Sequence, residues 1–185
     1  MRIFVTGATG FIGSSLVPEL IQAGHQVLGL TRSDAGAQSL LAAGAQPHHG
    51  DLEDLDSLRR GAASSDAVIH LAFIHDFSKF LANCEIDGRA IEALGSALEG
   101  SNRPIVITSG TGMGNPARGQ LATEDHFDPN HAHPRKSSEL AGAALTERGV
   151  NVSIVRLSQV HDPVKQGLIT HNVTIAREKG LSAYV

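Results

Sequence analysis

The stretch VTGATGFIG, residues 5–13, sets three glycines three apart: Gly7, Gly10 and Gly13. Just before it, RIFVT (Arg2–Thr6) is a short apolar and β-branched run that predicts a strand. Just after it, Phe11, Ile12, Leu16, Leu20 and Ile21 recur at helical spacing and predict a helix to Ala23, in which Pro18 either bends the axis or leaves one carbonyl unpaired. A turn this bare between strand and helix has a physical use. The first amides of a helix have no partner within it and carry partial positive charge. A pyrophosphate rests on them only where no Cβ stands in the way. In that reading Gly7 makes the tight turn, Gly10 admits the phosphate and Gly13 lets helix pack on strand. The N–H groups of Phe11 and Ile12 are then the anion's partners.

Working outward, strand-like and helix-like segments alternate. QVLGLT (Gln26–Thr31) predicts a second strand, and Ser33 or Asp34 a cap for the helix after it. AQPHHG (Ala45–Gly50) is a poor strand by propensity but falls where the alternation requires one. DAVIHLA (Asp66–Ala72), RPIVITS (Arg103–Ser109) and NVSIVRL (Asn151–Leu157) predict three more, with helices over Lys79–Glu99 and Lys136–Arg148 and a last one over Gly167–Lys179. Repeated strand–helix–strand units predict an α/β fold: a doubly wound parallel sheet of about six or seven strands in the order 3-2-1-4-5-6, covered by helices on both faces.

The 185 residues are enough for one domain with a full core. A formal charge of −4 gives no general pull toward nucleic acid or an anionic membrane. No apolar run approaches the roughly 20 residues that span a bilayer, and Met1 and Arg2 lead straight into the first strand without a signal peptide. The single cysteine, Cys84, excludes an internal disulfide and suits a reducing, cytoplasmic setting as a small packed residue. Ten histidines are many, yet neither HAH nor HH has the i, i+4 spacing and third ligand of a zinc site, so no metal is expected.

TGATGFIG resembles the cofactor fingerprint of the extended short-chain dehydrogenase/reductase superfamily, the NAD(P)-dependent epimerases and dehydratases, whose domain is a three-layer Rossmann fold. GDLED (Gly50–Asp54), HLAF (His70–Phe73), ITSGTGMG (Ile107–Gly114) and VRLSQVHD (Val155–Asp162) are similar to later segments of the same family. The resemblance implies adenine contacts at Asp51 and Leu52. It also implies contacts with the adenosine ribose region at Ala72 and Phe73, and with the nicotinamide at Ser109 and Ser158. An NAD-specific member holds its ribose with an acid after the second strand; here Thr31 and Arg32 stand there. Arg32 suits the 2′-phosphate of NADP, so NADP is the expected cofactor, with NAD and an ordinary surface role for Arg32 as the alternatives.

The family's proton-transferring tyrosine, with a lysine four residues on, is absent: near Pro134 the sequence reads NHAHPRKSSELAG, and the one tyrosine is Tyr184. This pattern is similar to an atypical subgroup without the Tyr–Lys pair. His133 is the candidate acid/base in its place, beside Ser109 as the group that polarises the substrate oxygen. His126, His131 and His161 fall on neighbouring loops, and RKSSE reads most simply as a capped helix start. Phe73, Phe77 and Phe80 are expected to pack the mouth of the site. Two functions follow: an oxidoreductase, epimerase or dehydratase acting on a sugar-like or carbonyl small-molecule substrate, or a catalytically silent NADP-binding sensor. The resemblance further implies a homodimer through a four-helix bundle made by Lys79–Glu99 and Lys136–Arg148. It divides the chain into a dinucleotide-binding domain over 1–160 and the start of a substrate-binding region over 161–185, most of that region being missing here.

Overall fold

The computed structural model describes residues 1–114, 119–162, 167 and 169–182. Tyr184 and much of 163–168 lie outside them. Twelve elements carry the fold. The strands are β1 (Arg2–Thr6), β2 (Gln26–Thr31), β3 (Gln46–His49), β4 (Ala67–His70), β5 (Pro104–Gly110) and β6 (Asn151–Leu157). The helices are α1 (Gly13–Gln22), α2 (Asp34–Ala42), α3 (Leu55–Ala63), α4 (Phe80–Ser96), α5 (Lys136–Glu147) and α6 (Ile169–Lys179). All sheet pairings are parallel and the strand order is β3-β2-β1-β4-β5-β6. This is the Rossmann α/β arrangement, with helices on both faces.

Strand parity sorts the core, because successive side chains point to opposite faces. Phe4, Leu28, Leu30, Val68, Ile105 and Ile107 enter one cluster with Leu58, Ile91, Leu94 and Leu145 from α3, α4 and α5. Ile3, Val5, Val27 and Ala67 enter the other with Val17 of α1 and Leu40 of α2. Gly95, a weak helix former inside α4, is there because α5 comes close: a Cβ at this position would lie 2.3 Å from the Leu145 methyls. Cys84 is buried and unpaired.

Local corrections are few and have local causes. α1 runs through Pro18 to Gln22, so the Ser14 carbonyl receives no bond from residue 18. Of the two capping candidates before α2, Ser33 makes the bond, accepting from the Gly36 amide at 3.2 Å. The helix expected from Lys79 starts one residue later, behind a 3₁₀ turn over Phe77–Lys79 that Asp76 caps by accepting from the Ser78 amide. Among the described residues no helix is long and apolar enough to cross a membrane.

Candidate active site

Parity also sets the site. The phase that sends Phe4, Val68 and Ile107 into the core brings Thr6, His70 and Ser109, two residues further along each strand, to the same face at the carboxyl edge of the sheet. Register places Thr6 beside His70 and Ser109 beside Arg156. All of these face α4 and α5, and those helices answer with Asp87, Ser138 and Glu139, each almost fully buried. Two polar networks result.

In the first, Thr6 Oγ1 lies 2.8 Å from His70 Nδ1, and His70 Nε2 lies 3.1 Å from Asp87 Oδ1. The other oxygen of Asp87 accepts from Arg135 Nη1 at 3.0 Å and from the Ser138 hydroxyl at 2.6 Å. Arg135 also donates to the Thr108 carbonyl at 3.1 Å and lies 4.1 Å over the Phe73 ring. Burial would raise the pKa of Asp87, but the His70 hydrogen bond, the charges of His70 and Arg135 and the Ser138 bond hold it below the ordinary carboxylate range.

In the second, the Ser109 hydroxyl donates to Glu139 Oε1 at 2.6 Å. Arg156 grips both oxygens of that carboxylate, at 2.9 and 2.8 Å, and donates onward to the carbonyls of Thr123 and His126. Burial again opposes ionisation of Glu139, and the Arg156 and Ser109 bonds with the Arg156 charge outweigh it, so its pKa is lowered. A capped start for RKSSE is therefore not what forms: α5 has no side-chain cap bond, Ser137 donates to the Cys84 carbonyl, and Ser138 and Glu139 turn into the networks.

Above these networks the strand ends open into a cleft of about 970 Å³. Gly7, Gly10, Phe11, Ile12 and Gly13 line one end with Arg32, Asp51 and Leu52. Ala72, Phe73, Ser109, His133 and Ser158 line the remainder, with Arg135 and His131 beside them. His126 and His161 do not line it. Among the described residues no three histidine, cysteine or acidic groups gather as metal ligands.

The turn after β1 is shaped for close approach. Gly7 has φ +67°, and a Cβ on Gly13 would lie 2.1 Å from the Gly7 carbonyl oxygen. A Cβ on Gly10 would meet only the Gly7 carbonyl, at 3.1 and 3.9 Å, and is otherwise open. Among the described residues the amides of Phe11 and Ile12 find no protein acceptor. Asp51 is held in an Asx turn, its Oδ1 accepting from the amides of Glu53 and Asp54 at 2.8 and 3.0 Å.

His133 has a defined chemistry. Its Nδ1 accepts from the Arg135 amide at 3.2 Å, so the neutral ring carries its proton on Nε2. Burial first, then the charges of His131 and Arg135, lower its pKa. The neutral ring is therefore the favoured form near pH 7.

Sequence reasoning missed Asp87, Arg135, Glu139 and Arg156. The available signal was a polar residue in the inward phase at the end of three strands, since such groups need buried partners.

The model of the NAD dependent epimerase/dehydratase family matches residues 3–179. Over its full length the chain is 45% identical to Uncharacterized protein C2A9.02 of Schizosaccharomyces pombe and 41% identical to Uncharacterized protein YLL056C of Saccharomyces cerevisiae. It spans 63% of the length of each. The crystal structure of a DesIV double mutant (dTDP-glucose 4,6-dehydratase) from Streptomyces venezuelae, with NAD and DAU bound, matches with a TM-score of 0.75 at 24% identity. That match covers 98% of this chain and 64% of the other. Fingerprint, strand order and family match agree, and the chain belongs to the NAD dependent epimerase/dehydratase family.

Proposed function

We propose that the chain binds a nicotinamide dinucleotide, NADP in preference to NAD, and serves an oxidoreductase-type reaction on a small carbonyl or sugar-like substrate. The observation that carries this reading is the glycine turn. It holds two unpartnered helix-start amides at one end of a cleft that runs the length of the carboxyl edge. Phe11 and Ile12 amides would take the pyrophosphate, Arg32 the 2′-phosphate, Asp51 and Leu52 the adenine, and Ala72 and Phe73 the ribose region.

Ser109, Ser158 and His133 would flank the reacting end. When bound there, the nicotinamide supplies or accepts hydride. His133 Nε2–H would hydrogen-bond to the substrate oxygen, the proton that accompanies the hydride being exchanged with solvent water. Ser109 has its own proton committed to Glu139, so it offers lone pairs and accepts from a substrate hydroxyl. That commitment also favours the second reading, a sensor that binds the dinucleotide without turning anything over.

Calorimetric titration with NADPH and NADH, followed by nicotinamide absorbance with a panel of carbonyl compounds, tests the proposal. Tight binding with turnover supports the enzyme, tight binding alone the sensor, and absence of binding overturns both. Arg32→Ala separates the two cofactors. Removing a charge-assisted contact worth about 1.5–3 kcal/mol should weaken NADPH by roughly tenfold to a hundredfold and leave NADH unchanged. Equal loss for both would assign Arg32 no part in the choice.

A homodimer through α4 and α5 is the assembly we propose. Their outer faces frame a groove of about 530 Å³ lined by Gly88, Arg89, Ala141 and Arg148, a surface that a second pair of helices would fill. Sedimentation of the purified chain checks it: a monomer at micromolar concentration removes the dimer.

A further inference from the structure

The protein uses its aromatic rings in an unusual place. Of its six phenylalanines, Phe4 fills the core, while Phe11, Phe73, Phe77 and Phe80 line the cleft. Phe73 and Phe77 from the connection between β4 and α4, with Phe80 at the start of α4, form one wall with two histidines. Phe73 meets Phe80 at 5.9 Å and His75 at 5.2 Å between ring centroids. Phe77 meets Phe80 at 5.9 Å with only 30° between the planes, and His75 at 6.2 Å. Phe80 reaches across to His133 at 5.6 Å, edge to face. Phe77 is 55% exposed at the mouth of the cleft.

The wall is also poor in usable charge. Burial and the nearby Arg135 charge lower the pKa of His75, with a weaker opposing bond at the Phe73 backbone, and His133 is lowered as well. Both rings are therefore largely uncharged near pH 7. Arg135 is the cation at this end, and its charge is already matched by Asp87 while the Phe73 ring covers its face. The other cationic side chain lining the cleft, Arg32, stands at the opposite end beside Asp51. Among the described residues that line the cleft, a phosphate brought to this wall would find only Arg135, already matched by Asp87, and desolvating it there would cost more than it returned. A flat neutral ring would instead extend an existing cluster of offset and edge-to-face contacts.

From this we propose that the outer part of the cleft selects an uncharged aromatic carbonyl compound, its ring against Phe77 and Phe80 and its oxygen at His133. The inference rests on the dinucleotide reading for the other end of the cleft, and its test is separable from it. Saturation-transfer NMR and titration with 2-naphthaldehyde, with and without saturating NADPH, measure binding at this wall. NADPH titration alone measures the other end.

Phe77→Ala should keep the parent's unfolding midpoint and NADPH affinity while weakening 2-naphthaldehyde about tenfold. Phe80→Leu, which retains apolar volume but removes the ring, should weaken it similarly. Cyclohexanecarbaldehyde, apolar but not aromatic, should bind more weakly than 2-naphthaldehyde and lose little in either variant. The proposal is overturned if UDP-glucose binds this end more tightly than the aromatic aldehyde, or if both ring variants bind 2-naphthaldehyde as the parent does. It is overturned equally if the saturated ring competes on equal terms. Loss of NADPH binding with aldehyde binding intact would instead remove the dinucleotide reading and leave the aromatic wall standing.

Discussion

Asp87→Ala should rank with truncation of the fully buried Ile91 and Leu94 among the most destabilising substitutions in α4. One carboxylate, almost wholly buried, serves three partners: His70, Arg135 and Ser138. Removing it leaves Arg135 without its counter-charge and takes one hydrogen-bond partner from His70 and from Ser138, and breaking such a pair from one side typically costs about 3–5 kcal/mol. That is a large part of the roughly 5–15 kcal/mol that holds a domain folded. Urea unfolding of Asp87→Ala and Asp87→Asn reads it out, the amide keeping some hydrogen bonds and so falling between parent and alanine. The same carboxylate predicts a pH dependence. The folded pKa values of Asp87 and Glu139 lie below their ordinary ones. Their contribution is therefore complete above the ordinary carboxylate range and is lost as pH falls through the lower folded values. Parent stability should drop on the acid side of about pH 4, with a shallower slope in Asp87→Asn. An alanine variant within about 1 kcal/mol of the parent would mean that the network does not hold α4 and α5 to the sheet.

Much of this arrangement was legible before the structure, and the part that was not has a physical boundary. DAVIHLA and RPIVITS announce buried parallel strands because both of their faces are covered, and the glycine turn announces itself because so few other structures need it. β3 was readable only from its place in the alternation: its Gln-Pro-His-His is a poor strand sequence, and among the described residues it lies at the sheet edge, paired with β2. Asp87 and Glu139 were out of reach for a different reason. An acid at mid-helix or in a first turn reads as solvated or dipole-stabilised, and nothing local distinguishes it from one that is buried. What buries these two is the phase of strands far away in sequence, which turns Thr6, His70, Ser109 and Arg156 toward them. The aromatic wall was half visible. The i, i+3 spacing of Phe77 and Phe80 suggested packing, but the cleft they face is set by the 3₁₀ turn that Asp76 caps and by His133 from a distant loop.

Gly10→Val and Gly13→Val separate folding from binding within a single turn. A Cβ on Gly13 would sit 2.1 Å from the Gly7 oxygen and 2.7 Å from the Ala8 Cα and carbonyl oxygen. All three are backbone atoms that cannot swing aside. Gly13→Val should therefore destabilise the chain by at least the roughly 1–3 kcal/mol of an overpacked core, visible as a lower urea midpoint with no ligand present. A Cβ on Gly10 meets only the Gly7 carbonyl, oxygen first at 3.1 Å, and a shift of a few tenths of an ångström relieves it. Gly10→Val should then fold within about 1 kcal/mol of the parent. Its isopropyl group, however, would occupy the space through which, on the proposed reading, a diphosphate reaches the Phe11 and Ile12 amides. Two charge-assisted hydrogen bonds at about 1.5–3 kcal/mol each would be lost, so NADPH affinity should fall by a hundredfold or more. The contrast carries the test: a valine at position 10 that binds NADPH like the parent would place the pyrophosphate elsewhere. A valine at position 13 without effect on stability would mean that the turn after β1 is looser than its close backbone contacts require.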